Sequence, residues 1–362
     1  MVKIWCSISS HGYGHAAQLI PILNELGRAV SDLEVILRTT VPQSFFEHKL
    51  QIKWDLQEAQ QDIGCLQQGP LEIDVEGTWN AHRQFHQNWD EEVRKEAEAI
   101  KASRADLVIA NISHLGIAAG SQAGCSTVAV ASLSWDQILF NLGSNRMAWQ
   151  EKVLLEIQEA YAQASHLIRL YPGIDMPAFH SSTMIGPSSL TFPTNIVDIR
   201  SVLPVRSTDR IVVVAFGGIP FEYLPIERLE YLEGFHFILS GVQVPLSFTR
   251  ISSWEGLGIP FLDVFRQADI VMTKPGYSTM VTAIKYQIPL VYVCRENFIE
   301  EGNLAAYARK YGRACELSRK DFDAGEWGEA LNKVLQMPHP HLVPPPDGAR
   351  EAVDILKSFL RK

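Results

Sequence analysis

Apolar residues along the chain fall into two kinds of run. Short unbroken ones, VKIWCSIS, LEVILRTT, ADLVIANIS and CSTVAVASLS, predict strands covered on both faces, as in a parallel sheet. Between them the spacing turns helical: Leu19, Ile20, Leu23, Leu26 and Val30 follow the first strand, with Pro21 early enough to bend that helix rather than break it. EEVRKEAEAIKASR predicts a charged surface helix and LGIAAGSQAG a short one. Such alternation predicts a doubly wound α/β domain.

The stretch 171–206, YPGIDMPAFHSSTMIGPSSLTFPTNIVDIRSVLPVR, is rich in Pro, Ser and Thr and lacks periodicity, which predicts an interdomain linker. The pattern then restarts. RIVVVAFGG, FHFILSG, DIVMTK and PLVYVCRE predict strands, and PFLDVFRQA, STMVTAIKYQ and NLAAYARKYG predict helices. After MPHPHLVPPPDG comes a last helix whose Ala349, Val353, Leu356 and Phe359 or Leu360 form one apolar stripe. The expected plan is a first domain over 1–185, a second over 206–340, and a C-terminal helix in 341–362 free to pack back on the first.

Composition adds limits. With 362 residues, 46% hydrophobic and 20% charged, the chain has ample material for two globular cores. A net charge of −9 argues against a nucleic-acid partner, since such binders concentrate Lys and Arg. Five scattered cysteines without a CxxC argue against a disulfide framework or a zinc ribbon and point to reduced thiols in a cytoplasm. The opening MVKIWCSISS is too interrupted for a signal peptide, and no run reaches the about 18 apolar residues that span a bilayer. A cytoplasmic protein without a transmembrane segment is expected.

Candidate chemistry gathers at glycine turns. In SSHGYGH, Gly12 and Gly14 let backbone approach a ligand where the first strand meets the first helix, and the helix start offers free N–H groups to an anion. His15 lies just inside that helix, whose positive end lowers its proton affinity; it is a candidate general base, or else a histidine that ties down the turn. In the second half Gly217 and Gly218 follow a strand, and Gly276 precedes a helix that opens with Tyr277, Ser278 and Thr279, with Lys274 just ahead. That combination suits a diphosphate, with helix capping by Ser278 and Thr279 as the plainer reading. Neither a Walker A loop nor a GxGxxG fingerprint is present. Glu296, Asn297, Glu300 and Glu301 follow a strand in a predicted loop, where carboxylates and amides read sugar hydroxyls or merely face solvent. EGTWNAHRQFHQNWD, with Trp79, His82, His86 and Trp89, reads as an acceptor lid or as a helix burying aromatics, and the four-residue histidine spacing as a remote metal candidate.

HGYGH, LSWD, FGGIP and KPGYSTMVTAIKYQIPLVYVCRENFIEEGNL together resemble the glycosyltransferase-like region of plant L-arabinokinase and its stand-alone bacterial relatives, and more distantly the peptidoglycan-pathway N-acetylglucosaminyltransferase. The resemblance covers essentially the whole chain. It implies the GT-B fold, two Rossmann-like domains facing across a cleft, with acceptor on the first and nucleotide-sugar donor on the second, and no metal or other cofactor. By position it places Gly12, Gly14 and His15 at the donor phosphates and reacting centre, and Gly217 and Gly218 at the second glycine turn. Gly276, Tyr277, Ser278 and Thr279 would hold the diphosphate, and Glu296, Asn297, Glu300 and Glu301 would lie by the donor sugar. Distant members carry a ribose-binding glutamate where this chain has Thr282, which offers a weaker single contact. Asp62, Gly64 and Gln67 of DIGCLQ, and Ser134, Trp135 and Asp136 of SWDQI, also match the arabinokinase-like group. Asp136 would orient His15, act as base itself, or cap the next helix.

The implied activity is inverting, metal-independent transfer of a sugar from a nucleotide-diphosphate sugar, with UDP as the expected carrier, to a small or lipid-linked acceptor hydroxyl. Sugar-kinase activity is not carried over. A nucleotide-sugar binding module without turnover and a nucleotide-sugar epimerase are the alternatives.

Overall fold

A computed structural model of the chain describes residues 1–192, 197–219 and 223–360. Pro220 of the FGGIP turn, 193–196 of the predicted linker and the last two residues lie outside the described residues. The first sheet has seven parallel strands, β1 (Val2–Ile8), β2 (Leu33–Thr39), β3 (Lys53–Glu58), β4 (Leu107–Asn111), β5 (Thr127–Ala131), β6 (His166–Leu170) and β7 (Ser182–Ile185), in the order β3-β2-β1-β4-β5-β6-β7. The second has six, β8 (Arg210–Val214), β9 (Phe235–Leu239), β10 (Ile251–Ser253), β11 (Ile270–Thr273), β12 (Leu290–Tyr292) and β13 (Ala314–Glu316), ordered β10-β9-β8-β11-β12-β13. The central strands β4, β5 and β9 are buried at every position, as their continuous apolar runs require.

Two elements differ from the expectation. The presumed linker contains β7, which pairs with β6 at the sheet edge; only Ile185 faces the core, so no apolar run announced it. The helix expected from Asn303 begins at Glu300, so Glu300 and Glu301 form its first turn rather than part of a loop. Acidic side chains there complement the positive helix end.

One apolar cluster joins both halves. It runs from Ile4, Leu19 and Leu23 of the first sheet and helix to Ile211, Met280 and Leu304 of the second domain, and takes in Ala352, Val353 and Leu356 of the Ala349–Phe359 helix. That last helix packs against the first helix, Gly14–Ala29, which also touches the Tyr277–Lys285 helix.

Candidate active site

In each sheet, connections leave in opposite directions from one adjacent pair of strands: β1 and β4 in the first, β8 and β11 in the second. Crevices beyond the carboxyl ends of such pairs are where open α/β sheets bind ligands. Here the two crevices face each other. The HGYGH turn follows β1, Asn111 ends β4, Gly217 and Gly218 follow β8, and Lys274 follows β11. Across the seam Tyr13 N donates to Gly217 O (3.5 Å) and Ser278 Oγ donates to Gly14 O (3.0 Å). A Cβ on Gly12 would sit 3.1 Å from Gly217 O, and one on Gly218 would sit 2.5 Å from the Tyr13 ring, and with φ of +67° and +83° both positions favour glycine. Gly14 and Gly217 are different: a Cβ on either meets nothing within 4 Å, leaving open space at the seam.

The first domain contributes His15, buried in the first turn of its helix with its ring 5.5 Å from that of Trp135. Its Nδ1 is bonded to Asn111 Oδ1 at 2.7 Å. An amide oxygen only accepts, so Nδ1 carries the hydrogen and Nε2 keeps its lone pair. Burial lowers the His15 pKa to about 4, the Asn111 bond opposing it, so the ring is neutral at physiological pH. Desolvation is the leading cause of that shift. The His11 ring, 5.2 Å from Trp135, is held well below its usual pKa by burial and then by Lys274. Asp62 accepts from Ser9 Oγ (2.8 Å) and Trp135 Nε1 (2.9 Å), and burial raises its pKa to about 6 against those two bonds.

From the second domain comes Lys274, 7% exposed and held by burial well below the usual lysine pKa. Among the described residues its ammonium makes one hydrogen bond, to Gln67 Oε1 at 3.3 Å, while Gln67 Nε2 is buried with no partner. The nearby carboxylates are committed elsewhere. Glu301 forms a buried ion pair with Arg295, and Glu300 Oε1 accepts from Ser132 Oγ of the first domain at 2.6 Å. Burial raises Glu300 to about 7, with Ser132 and Arg295 opposing, and also raises Glu301.

Several expected residues sit differently from what the resemblance implied. Tyr277 is buried, donating through its hydroxyl to Tyr171 O (2.9 Å) and accepting from Ser188 N (3.2 Å); it ties the domains together and faces no open space. Ser278 bonds Gly14 rather than capping its helix, whose N-cap is Gly276 without a side-chain bond; Thr279 is half-buried on the same turn. Glu296 and Asn297 are exposed, and Asn297 borders a cleft of about 510 Å³ with Arg295, Phe298, Glu301 and Arg309. Asp136 is fully buried in the first turn of the Trp135–Asn141 helix, accepting from Ser134 Oγ (2.6 Å) and Gln137 Nε2 (2.9 Å). The residue bonded to His15 is Asn111, not Asp136. Thr282 is 3% exposed with its hydroxyl unpaired. His82 and His86 belong to a helical run that buries Trp79, and among the described residues no group of three His, Cys, Asp or Glu side chains is placed to hold a metal.

Sequence reasoning missed Asn111, Gln18, Ser132 and Arg295. Asn111 ends β4 and Ser132 follows β5, the strand ends where the switch-point rule directs attention. Gln18 lies three residues after His15 on the same buried helix face. Arg295 carried no signal of its own.

No family model matches the chain. It is 24% identical over 336 residues to the L-arabinokinase of Arabidopsis thaliana, a match covering 91% of this chain and 32% of that protein, so the chain spans about a third of its relative's length. Among solved structures, the glycosyltransferase of kitacinnamycin superposes with a TM-score of 0.64 at 13% identity over 99% of each chain. The calicheamicin glycosyltransferase gives 0.59 at 16% over 99% of this chain and 94% of its own. A Medicago truncatula protein complexed with UDP-glucose gives 0.61 at 12% over 99% and 93%. The chain has the two-domain GT-B fold of these glycosyltransferases. No helix among the described residues is long and apolar enough to cross a membrane.

Proposed function

We propose that the chain is a glycosyltransferase that moves a sugar from a UDP-sugar to an acceptor hydroxyl with inversion, binding the diphosphate between its two domains without a resident metal. One observation carries this reading: Lys274 and Gln67 Nε2 are buried donors without adequate acceptors, beside the start of the Tyr277–Lys285 helix. Glu300 and Glu301 lie near Lys274 but are bonded to Ser132 and Arg295, a buried ammonium without a bonded counter-ion is costly, and a helix start attracts negative charge, so the arrangement fits an anion. Neighbours of the same fold bound to UDP-glucose support the choice of UDP.

On this reading the domains separate to admit substrate and close over it. The acceptor O–H gives its proton to His15 Nε2, and the freed oxygen pair forms a bond to the anomeric carbon from the face opposite the leaving group. The bond from that carbon to the phosphate oxygen breaks, its electron pair leaving with UDP. Lys274 and the amides opening the Tyr277–Lys285 helix stabilise the growing charge.

The test is to incubate the protein with UDP-sugars and a panel of hydroxylated acceptors, following free UDP and glycosylated product by mass spectrometry. Product with inverted anomeric configuration supports the proposal. An epimerised donor, or tight UDP-sugar binding with no turnover across the panel, overturns it in favour of an epimerase or a binding module.

A further inference from the structure

Four hydrogen bonds link His15 to the second domain in one unbroken sense. His15 Nδ1 is bonded to Asn111 Oδ1 (2.7 Å), Asn111 Nδ2 donates to Gln18 Oε1 (2.8 Å), Gln18 Nε2 donates to Ser132 Oγ (2.9 Å), and Ser132 Oγ donates to Glu300 Oε1 (2.6 Å). All five residues are at most 5% exposed, so no solvent competes for these bonds. Gln18 is also fixed through its backbone, whose carbonyl accepts from Ser188 Oγ at 2.7 Å.

The sense of the chain has one source. A serine hydroxyl and a side-chain amide each donate on one side and accept on the other, so each runs either way; an ionised carboxylate only accepts. With Glu300 ionised, as it is above its pKa of about 7, Ser132 donates to it, and every later member then has one choice, ending with hydrogen on His15 Nδ1 and the lone pair on Nε2. Remove Glu300 and Ser132 is free to donate to Gln18, after which both amides turn over and place the hydrogen on Nε2, where it blocks base action. Groups facing Glu300 are Arg295, which is paired with Glu301, and Lys274. Those facing His15 are the His11 and Trp135 rings and Asn111.

We propose that Glu300 of the second domain sets the tautomer of His15 through Ser132, Gln18 and Asn111, so that the base is held wholly in its competent form only when the domains are closed. The four are positioning residues. The inference rests on the reading of His15 as general base, and it explains how an open enzyme holding a donor would avoid activating water.

The experiment is nitrogen-proton correlation NMR of histidine ring nitrogens in the full chain at pH 8, with the His15 signals identified by their loss in His15→Gln. The native protein is expected to show His15 mainly as the Nδ1–H form. Ser132→Ala should convert it to a mixture of both forms and lower kcat about twofold, since an even mixture leaves half the molecules competent, with the donor KM unchanged and a loss far below the 10²–10⁴-fold of removing the base. Asn111→Asp in the Ser132→Ala background should restore the Nδ1–H form, because a carboxylate only accepts. Should Ser132→Ala fail to fold by circular dichroism, Glu300→Gln, which abolishes the accept-only end while keeping shape, is expected to give the same mixture. An Nε2–H form in the native protein, or an unchanged His15 tautomer in a folded relay variant, overturns the proposal. The NMR readout needs no turnover, so a relay that holds in a protein without transferase activity refutes the functional reading alone; His15-dependent turnover with no relay effect refutes the relay alone.

Discussion

Lys274→Met separates ligand binding from folding in opposite directions. Methionine keeps most of the buried stem and removes only the ammonium, whose one bond among the described residues is the 3.3 Å contact with Gln67. In the free protein burial holds the lysine well below its usual pKa, so near pH 8 the fold works against the charged form. The unfolded chain then binds more protons than the folded one, and this contribution to stability rises as pH climbs from the folded value towards the unfolded one. The variant should therefore melt higher than the native protein at pH 8, with a gap that narrows towards pH 10. With UDP present the order should reverse. A hydrogen bond to a charged group is worth about 1.5–3 kcal/mol, so losing it weakens UDP roughly 10- to 150-fold. Calorimetric titration measures that loss, and titration in two buffers of different ionisation heat tests the cause: a bound anion raises the proton affinity of Lys274, so native UDP binding should take up more protons than variant binding. UDP binding of native strength in a folded Lys274→Met protein would refute the reasoning.

His15→Gln should lower kcat about 10²–10⁴-fold while UDP affinity stays within about twofold, measured by steady-state kinetics and calorimetry. With His15 near pKa 4, it must be deprotonated to act, so its part of the kcat/KM profile should stay level down to about pH 5 and fall below that. Glu300 is raised from the usual 4.5 to about 7, so its contribution to stability is complete below pH 4.5 and is lost as pH rises through about 7. Glu300→Gln removes that slope and should be more stable than native by on the order of 3 kcal/mol at pH 8, read from urea unfolding across pH. Thr282→Val replaces a buried, unpaired hydroxyl with a methyl of similar shape and should stabilise the free protein by about 1 kcal/mol in the same assay.

The glycine turns were legible because their positions at strand ends follow from apolar runs that stop abruptly, and the structure does bring Gly12, Gly14, Gly217, Gly218 and Lys274 to one seam. Partner choice was not. His15 bonds Asn111, 96 residues away, while Asp136 turns to Ser134 and Gln137 beside it; which way a side chain points at a strand end depends on the packing of the whole sheet. Glu300 and Glu301 were read as loop because the apolar spacing of their helix starts only at Leu304, yet paired acids in a first turn are themselves a helix-start signal. Tyr277 was assigned to the diphosphate on resemblance, and no local pattern reveals that its hydroxyl is shared between Tyr171 and Ser188. The edge strand β7 was lost for a general reason: one inward residue in four leaves no periodicity to read.

Under the proposed opening of the domains, the apolar and polar contacts between the two halves differ in what it costs to break them. Some of these contacts are apolar: the last helix sets Val353 and Leu356 into the cluster that holds Leu19 and Leu23, and the Phe192 ring stacks 3.9 Å from that of Tyr286. Separating these exposes apolar area at about 25 cal/mol per Å². Elsewhere the contacts are hydrogen bonds, Ser278 to Gly14, Lys274 to Gln67, Asn303 to Gly173 and Ser132 to Glu300, with an exposed Arg319–Glu72 pair. Water replaces the neutral bonds at a net cost of about 0.5–1.5 kcal/mol each, those of Lys274 and Glu300 at about 1.5–3 when charged, and an exposed ion pair for about 1 kcal/mol or less. On the proposed reading, an opening that keeps the apolar contacts and gives up the hydrogen bonds loses the Ser132–Glu300 link together with the Lys274–Gln67 bond. If the proposed function holds, donor access and a disconnected His15 are then two consequences of one movement.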